Sequence, residues 1–244
     1  MIIAQISDIH ATPDNGNLSR LDRAMRWLDL MAPDGLVLTG DLIDDDWFDG
    51  YKAIAARLGK RSYPAFILPG NSDNGEMMRS IFGCNYWADG PSGALHFMAD
   101  IGDIRLVGLD STVKGTSAGE VIEHLPWLEK TLSTQGPATS ILFLHHHVIR
   151  SGILAMDHIM CRESVKLGEF LRKHPRRPIA IATGHVHRPV AGALAGIPAY
   201  ICGSICPANP LWFGADTVPP ANDPPALMIH RWVNGSLVSH HISV

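Results

Sequence analysis

Seven residues of three types could hold metal ions if the fold gathers them: Asp8, His10, Asp41, Asn71, His145, His185 and His187. They stand in short motifs: Asp-x-His at 8–10, Gly-Asp at 40–41, Gly-Asn at 70–71, a histidine triplet at 145–147 and Gly-His-x-His at 184–187. Carboxylate, amide and imidazole, with no cysteine in the set, make donors of borderline hardness. They suit Mn, Fe, Co or Zn better than Ca, which takes oxygen alone. Seven protein donors exceed the needs of one ion. Two ions about 4 Å apart can use them if one carboxylate bridges, and Asp41 is the expected bridge. Such a pair activates a water and neutralises charge on a phosphoryl group.

Each motif follows an apolar, strand-like run: IIAQIS before Asp8, GLVLT before Gly40, AFILP before Gly70, SILFL before His145 and PIAIAT before Gly184. Donors placed just past strand ends converge at one edge of a sheet, where α/β proteins place their chemistry. Between these runs the pattern predicts helices from Ser19 (with Asp22 completing a capping box), at 47–59, 75–82, 125–132 and 163–173. Two β runs at 94–99 and 104–109 read as a hairpin, and short strands follow at 189–194 and 197–202. Residues 206–225 carry six prolines and read as irregular chain, either a pocket cap or a subunit contact. Asn234-Gly235 between alternating runs at 226–233 and 236–244 predicts a closing hairpin, because both central residues must take positive φ. The expectation is one α/β domain over 1–244, with 206–225 and the C-terminal β-hairpin appended.

With 244 residues, the chain can bury a substantial core undivided. No apolar run approaches the roughly 20 residues needed to span a bilayer, so no membrane role is expected. A net charge of −4 argues against nucleic-acid polymers as partners, and the basic run Arg172–Arg177 reads as a helix end. Cys84, Cys161, Cys202 and Cys206 form no Cys-x-x-Cys pair and are expected to be reduced, buried thiols. The N-terminus has no signal-peptide pattern, and the expected location is cytoplasmic.

Taken singly, each motif has a simpler explanation. Asp8 and His10 could be a strand-end pair, Asp41 and Asn71 turn residues, and Asp73 an N-cap for the helix near 75. Asp44, Asp45 and Asp46 read as a solvated turn, with Asp44 the weaker candidate for a ligand. Of His145, His146 and His147, alternation allows at most two to face one site. Trp27, Trp127 and Trp232 read as core, whereas Trp87, Trp212 and Phe213 lie in expected loops and could line a nucleobase pocket. His96, His124, His158, His174, His230, His240 and His241 receive no role. What favours the metal reading is the joint occurrence of five blocks, each behind a strand.

Asp8-x-His10, Gly40-Asp41-Leu42-Ile43-Asp44, Gly70-Asn71-Ser72-Asp73, His145-His146 and Gly184-His185-Val186-His187 match, in order, the five blocks of the calcineurin-like metallophosphoesterases. Over about residues 2–200 the chain most resembles bacterial class III cyclic-nucleotide phosphodiesterases and their glycerophosphodiesterase relatives. Met156-Asp157-x-Ile159 resembles that branch too. The resemblance implies a four-layer sandwich of two mixed β-sheets flanked by helices. It implies a first metal on Asp8, His10 and His187, a second on Asn71, His145 and His185, and Asp41 between them. The implied reaction is attack by metal-bound hydroxide on a small phosphodiester, with a homodimer or higher homo-oligomer as the implied assembly. A phosphohydrolase of other preference (phosphomonoester, nucleotide pyrophosphate or activated ester) and a non-catalytic metal-binding scaffold are the alternatives.

One position departs from the pattern. The family usually carries histidine after the asparagine, and this chain carries Ser72, whose pKa is too high to supply a proton near neutrality. Loss of a positioned acid costs about 10²–10⁴-fold. The family often has proline where this chain has His147, so His147, or less readily His146, is the expected substitute, with Ser72 and Asp73 completing the catalytic candidates.

Overall fold

A computed structural model describes residues 1–83, 87–88, 93–214 and 217–244. Five strands form one sheet in the order β11-β10-β1-β2-β3: β1 (Ile2–Ile6), β2 (Gly35–Thr39), β3 (Ala65–Leu68), β10 (Ala226–Val233) and β11 (Ser236–Ser243). Six form the other in the order β4-β5-β6-β7-β9-β8: β4 (Phe97–Ile101), β5 (Ile104–Gly108), β6 (Thr139–Phe143), β7 (Ala180–Thr183), β8 (Val190–Leu194) and β9 (Ile197–Ile201). Both sheets are mixed. β1, β2 and β3 run parallel while β10 joins β1 antiparallel, and β5, β6, β7 and β9 run parallel with antiparallel β4 and β8 at the edges.

The period-two alternation of strand side chains builds the layers. In β1, Ile3 faces the other sheet and, with Val37 of its own sheet, shares a core cluster with Ile104, Ile141 and Phe143, while Ala4 and Ile6 face outward. There they pack against Leu21, Met25 and Leu28 of α1 (Asn17–Met31), Tyr51 and Ile54 of α2 (Phe48–Leu58) and Met78 of α3 (Gly75–Phe82). On the second sheet, Leu142 and Ile181 face Leu128 and Leu132 of α4 (Leu125–Ser133) and, beyond the four-residue α5 (Leu154–Asp157), Leu167 and Leu171 of α6 (Ser164–Lys173). The expected sandwich is therefore present, with the hairpin β10–β11 closing the first sheet. Asn234 and Gly235 take φ of 51° and 76° between Val233 and Ser236, as the hairpin signal requires. No helix among the described residues is long and apolar enough to cross a membrane.

Some local expectations give way. Helix α1 begins at Asn17 behind Gly16 with no side-chain cap; Asp22 instead accepts from Arg57 at 2.8 and 3.0 Å, tying α1 to α2. Asn74 rather than Asp73 caps α3, accepting from the amides of Glu76 and Met77. Trp87 is core, not pocket lining, and donates its indole N–H to the Ile67 carbonyl at 3.1 Å. Cys161, Cys202 and Cys206 are free, buried thiols as expected, and Cys84 lies outside the described residues.

A polar thread runs between the sheets. Ser239 Oγ lies 2.8 Å from His230 Nδ1, His230 Nε2 lies 3.2 Å from Gln5 Oε1, and Gln5 Nε2 donates to Thr39 Oγ1 and the Thr183 carbonyl, both at 3.0 Å. Burial pushes His230 down to about 4, so it is neutral at pH 7. Below its ordinary pKa of about 6.5 the unfolded chain binds a proton that the folded one refuses. Stability should therefore fall between pH 6.5 and 4, by roughly 3 kcal/mol from this group alone. Urea melts across that range should show a shallower loss for His230→Gln; an unchanged slope would rule His230 out as the source.

Candidate metal centre

Five strands deliver the seven donors. Asp8 and His10 follow β1, Asp41 follows β2, Asn71 follows β3, His145 follows β6, and His185 and His187 follow β7. The first three strands belong to one sheet and the last two to the other, so the donors meet where the C-terminal edges of both sheets adjoin. The loops after β1 and β2 are laced together: the amides of Asp8, Ile9, His10 and Ala11 donate to the carbonyls of Gly40, Asp41, Asp41 and Leu42 at 2.8–3.1 Å. The chain must turn sharply at each strand end. Asp8, His10, Asp41, His185 and His187 accordingly take positive φ, between 47° and 73°. Asp and His are among the few non-glycine residues that accept this region, at roughly 1–2 kcal/mol each.

The donor atoms face one another. His10 Nε2 lies 3.1 Å from His187 Nε2, and His187 Nε2 lies 3.5 Å from Asp8 Oδ1. His145 Nε2 lies 3.1 Å from His185 Nδ1 and 3.2 Å from Asn71 Oδ1. Asp41 Oδ2 stands between the halves, 3.3 Å from both His10 Nε2 and His145 Nε2, while its Oδ1 accepts the Ser72 amide at 2.8 Å. Asp8, His10, Asp41 and His187 form a group whose donor atoms lie within 4.8 Å of each other. Imidazole nitrogens paired at 3.1 Å satisfy each other only when one carries a proton; a cation between them satisfies both lone pairs. His185 Nε2 is buried with no hydrogen-bond partner among the described residues. The donor set thus fits transition-metal ions.

Partners behind the donors set their orientation. Asp44 Oδ1 lies 2.7 Å from His10 Nδ1, the Thr39 carbonyl lies 2.7 Å from His145 Nδ1, and Asp8 accepts the His185 amide through both oxygens at 3.1 Å. Asp44 is thus a support for His10 and not merely a solvated turn residue, a role that sequence spacing does not reveal. Burial alone would depress His10, but the Asp41 and Asp44 carboxylates override it and hold the group at about 12. His145 is likewise opposed by burial and raised by Asp41 to about 9. His185, buried and facing His145, is pushed down to about 2. Burial works to raise Asp41, yet His145 and His10 hold it well below the carboxylate range.

The other catalytic candidates, Ser72, Asp73, His146 and His147, fare differently. Ser72 Oγ donates to the Ile43 carbonyl at 2.8 Å, which turns it into the loop. Asp73 accepts from the amides of Leu42 and Gly70 and from the Tyr51 hydroxyl, knitting the β2 and β3 loops together. Burial, with Asp41 adding to it, pushes Asp73 up to about 7 against those donors. All three histidines of the triplet are fully buried. His146 has Ser111 Oγ at 2.8 Å from Nδ1 and the Ser117 carbonyl at 3.2 Å from Nε2, so both nitrogens are committed. His147 lies behind His185, ring centroids 5.6 Å apart, and burial pushes it down to about 4 against Asp157, 3.6 Å away. The expected substitution of His147 for the missing acid is not supported by this position. Ser72→Ala should cost about 1 kcal/mol of stability through the lost hydrogen bond and leave turnover unchanged. A fall of about 10²-fold or more would give the Ser72 hydroxyl a part in catalysis.

Beside Asn71 opens a polar cavity of about 450 Å³, bounded by Asn71, Asp73, Asn74, Glu76, Arg79 and Lys114. A separate apolar cavity of about 380 Å³ lies between Ile153–Met156 and the Pro-rich loop at Asn209–Trp212, and none of the seven donors lines it.

The signature of the calcineurin-like phosphoesterases matches residues 1–189. A protein of Arcobacter nitrofigilis described as a probable glycerophosphodiester phosphodiesterase is 31% identical, over 77% of this chain and 72% of its own length. A cAMP/cGMP dual specificity phosphodiesterase of Mycobacterium tuberculosis is 28% identical, over 84% of this chain and 67% of its own. A dimetal phosphatase from Danio rerio shares the fold, with a TM-score of 0.77 at 13% identity, covering 100% of this chain and 96% of that one. Strand-end donors, two mixed sheets and the matched blocks agree: the chain belongs to the calcineurin-like phosphoesterase family, whose members are metal-dependent phosphoester hydrolases.

Proposed function

We propose that this chain hydrolyses small phosphodiesters at a dinuclear centre, with Asp8, His10 and His187 holding one metal, Asn71, His145 and His185 the other, and Asp41 shared. The observation that carries this reading is Asp41 Oδ2, equidistant at 3.3 Å from a histidine of each half. When bound, two such cations would neutralise charge on the phosphoryl oxygens and lower the pKa of a water. The chain's own part is to fix their donors through Asp44, the Thr39 carbonyl and the Asp8 carboxylate, and to offer the polar cavity beside Asn71 to the alcohol of the ester.

That cavity supports the finer substrate choice. Its described lining holds no aromatic ring, and Asn74, Glu76, Arg79 and Lys114 suit a hydroxylated or charged alcohol of the glycerol type better than a nucleobase. A second reading, preference for esters with acidic leaving groups, is favoured by the inward turn of Ser72 and the burial of His146 and His147. The test is metal analysis followed by turnover with Mn²⁺ added, using a glycerophosphodiester, 3',5'-cyclic AMP, bis(p-nitrophenyl) phosphate and p-nitrophenyl phosphate. Two equivalents of metal and glycerophosphodiester turnover are expected. Activity on the nitrophenyl diester alone would favour the second reading. Two equivalents with no turnover of any ester would overturn both.

A further inference from the structure

Each candidate ligand histidine of the first half, and His145 of the second, has a ring nitrogen pointing away from the donors, and what meets it differs. For His10 it is the Asp44 carboxylate at 2.7 Å, and for His145 the Thr39 carbonyl at 2.7 Å. For His187 it is a thiol: Cys206 Sγ lies 3.3 Å from Nδ1. Resting on the dinuclear reading above, we infer that Cys206 is the positioning residue for His187, holding its outward nitrogen so that Nε2 faces His10 and Asp8.

The thiol is placed as a support should be. Its S–H donates to the Pro207 carbonyl at 3.5 Å, which leaves the sulfur lone pairs free to accept Nδ1–H. That direction puts the lone pair of His187 on Nε2, the nitrogen 3.1 Å from His10 Nε2. The backbone of Cys206 is fixed on the centre itself: its amide donates to the Asp8 carbonyl at 2.9 Å, and the Ile205 amide donates to Ser7 at 3.0 Å. Ser204 Oγ and Arg20 both donate to the Cys206 carbonyl, at 2.8 and 3.3 Å. The residue is 5% exposed, so water does not compete for the contact. Sulfur is a weaker acceptor than carboxylate or carbonyl oxygen. The His187 arm is therefore the most loosely oriented of the three.

Groups behind a ligand histidine typically contribute 10–100-fold to metal affinity. Mn²⁺ titrations of the full chain by calorimetry, for wild type, Cys206→Ala and Cys206→Ser, test this directly. Two sites are expected in wild type. In Cys206→Ala one of them should weaken by about 10–100-fold with the other unchanged, and Cys206→Ser, which can still accept Nδ1–H, should recover most of the loss. The metal-free proteins should melt together, because the thiol is argued to orient a ligand and not to hold the fold. Unchanged affinities in Cys206→Ala overturn the inference. So does an equal loss in both variants accompanied by a lower metal-free Tm, which marks a packing role. A thiolate-to-metal charge-transfer band in Co²⁺-loaded wild type, absent from Cys206→Ala, overturns it in favour of direct ligation. A wild-type chain that takes up fewer than two equivalents overturns the dinuclear reading and this role with it.

Discussion

Asp41→Asn is expected to abolish hydrolysis, with turnover reduced by at least about 10³-fold and metal content falling at both sites together. The side chain keeps its shape, and the amide oxygen can still accept the Ser72 N–H that Oδ1 accepts at 2.8 Å. What goes is the charge at the position of Oδ2, 3.3 Å from His10 and from His145. A shared oxygen predicts a coupled loss. If Asp41 served one half alone, metal analysis of the variant would find one equivalent retained. Retention of a full equivalent with measurable diester turnover would remove Asp41 from the shared position.

Gly184→Ala is expected to be nearly as damaging, although the glycine carries no functional group. A Cβ there would meet Ser7 Oγ at 1.9 Å and Asp8 Oδ2 at 2.8 Å, so the β1 and β7 loops approach too closely for any side chain. Overpacking of this kind costs about 3 kcal/mol or more, equivalent to a Tm lower by roughly 6–12 °C in a chain of this size. Because the displaced groups are Asp8 and its neighbour, metal affinity should fall with stability. Gly59→Ala is the control: its φ is −63° and its nearest contact is an ordinary 3.4 Å. Equal melting of the two variants would show that the close approach relaxes at little cost.

That glycine explains why part of the centre was legible in the sequence. Gly40, Gly70 and Gly184 each precede a donor, and each sits where two strand-end loops touch: a Cβ on Gly40 would meet Gly70, and one on Gly70 would meet Asp41. The motifs record both the donors and the clearance the donors need, so blocks far apart in sequence announced one place. The strands were equally legible, because β1, β2, β6 and β7 are buried on both faces and read as mainly apolar runs without polar alternation. What the sequence did not show depends on contacts across loops. Asp44 reads as one of three consecutive aspartates until its oxygen is seen against His10. Cys206 reads as one more buried thiol until it is seen against His187. The Ser72 and His147 pairing was inferred from a histidine lost in one loop and gained in another, but the two loops present those residues differently, one turned inward and one behind a ring.

The pairing of β1 has a consequence for how the chain is made. One edge of β1 is taken by β2, about thirty residues later, but the other waits for β10, where Ile2 pairs with Arg231 and Gln5 with Met228. The loop carrying Asp8 and His10 thus leaves the ribosome well before β10, the second neighbour of its strand, is made. Until then a nascent chain carries an open strand edge beside its most constrained turn, the kind of edge that invites wrong pairing. Premature termination anywhere before residue 226 would leave that edge bare. The β10–β11 hairpin is therefore what decides when a growing chain becomes safe as well as when its first sheet closes.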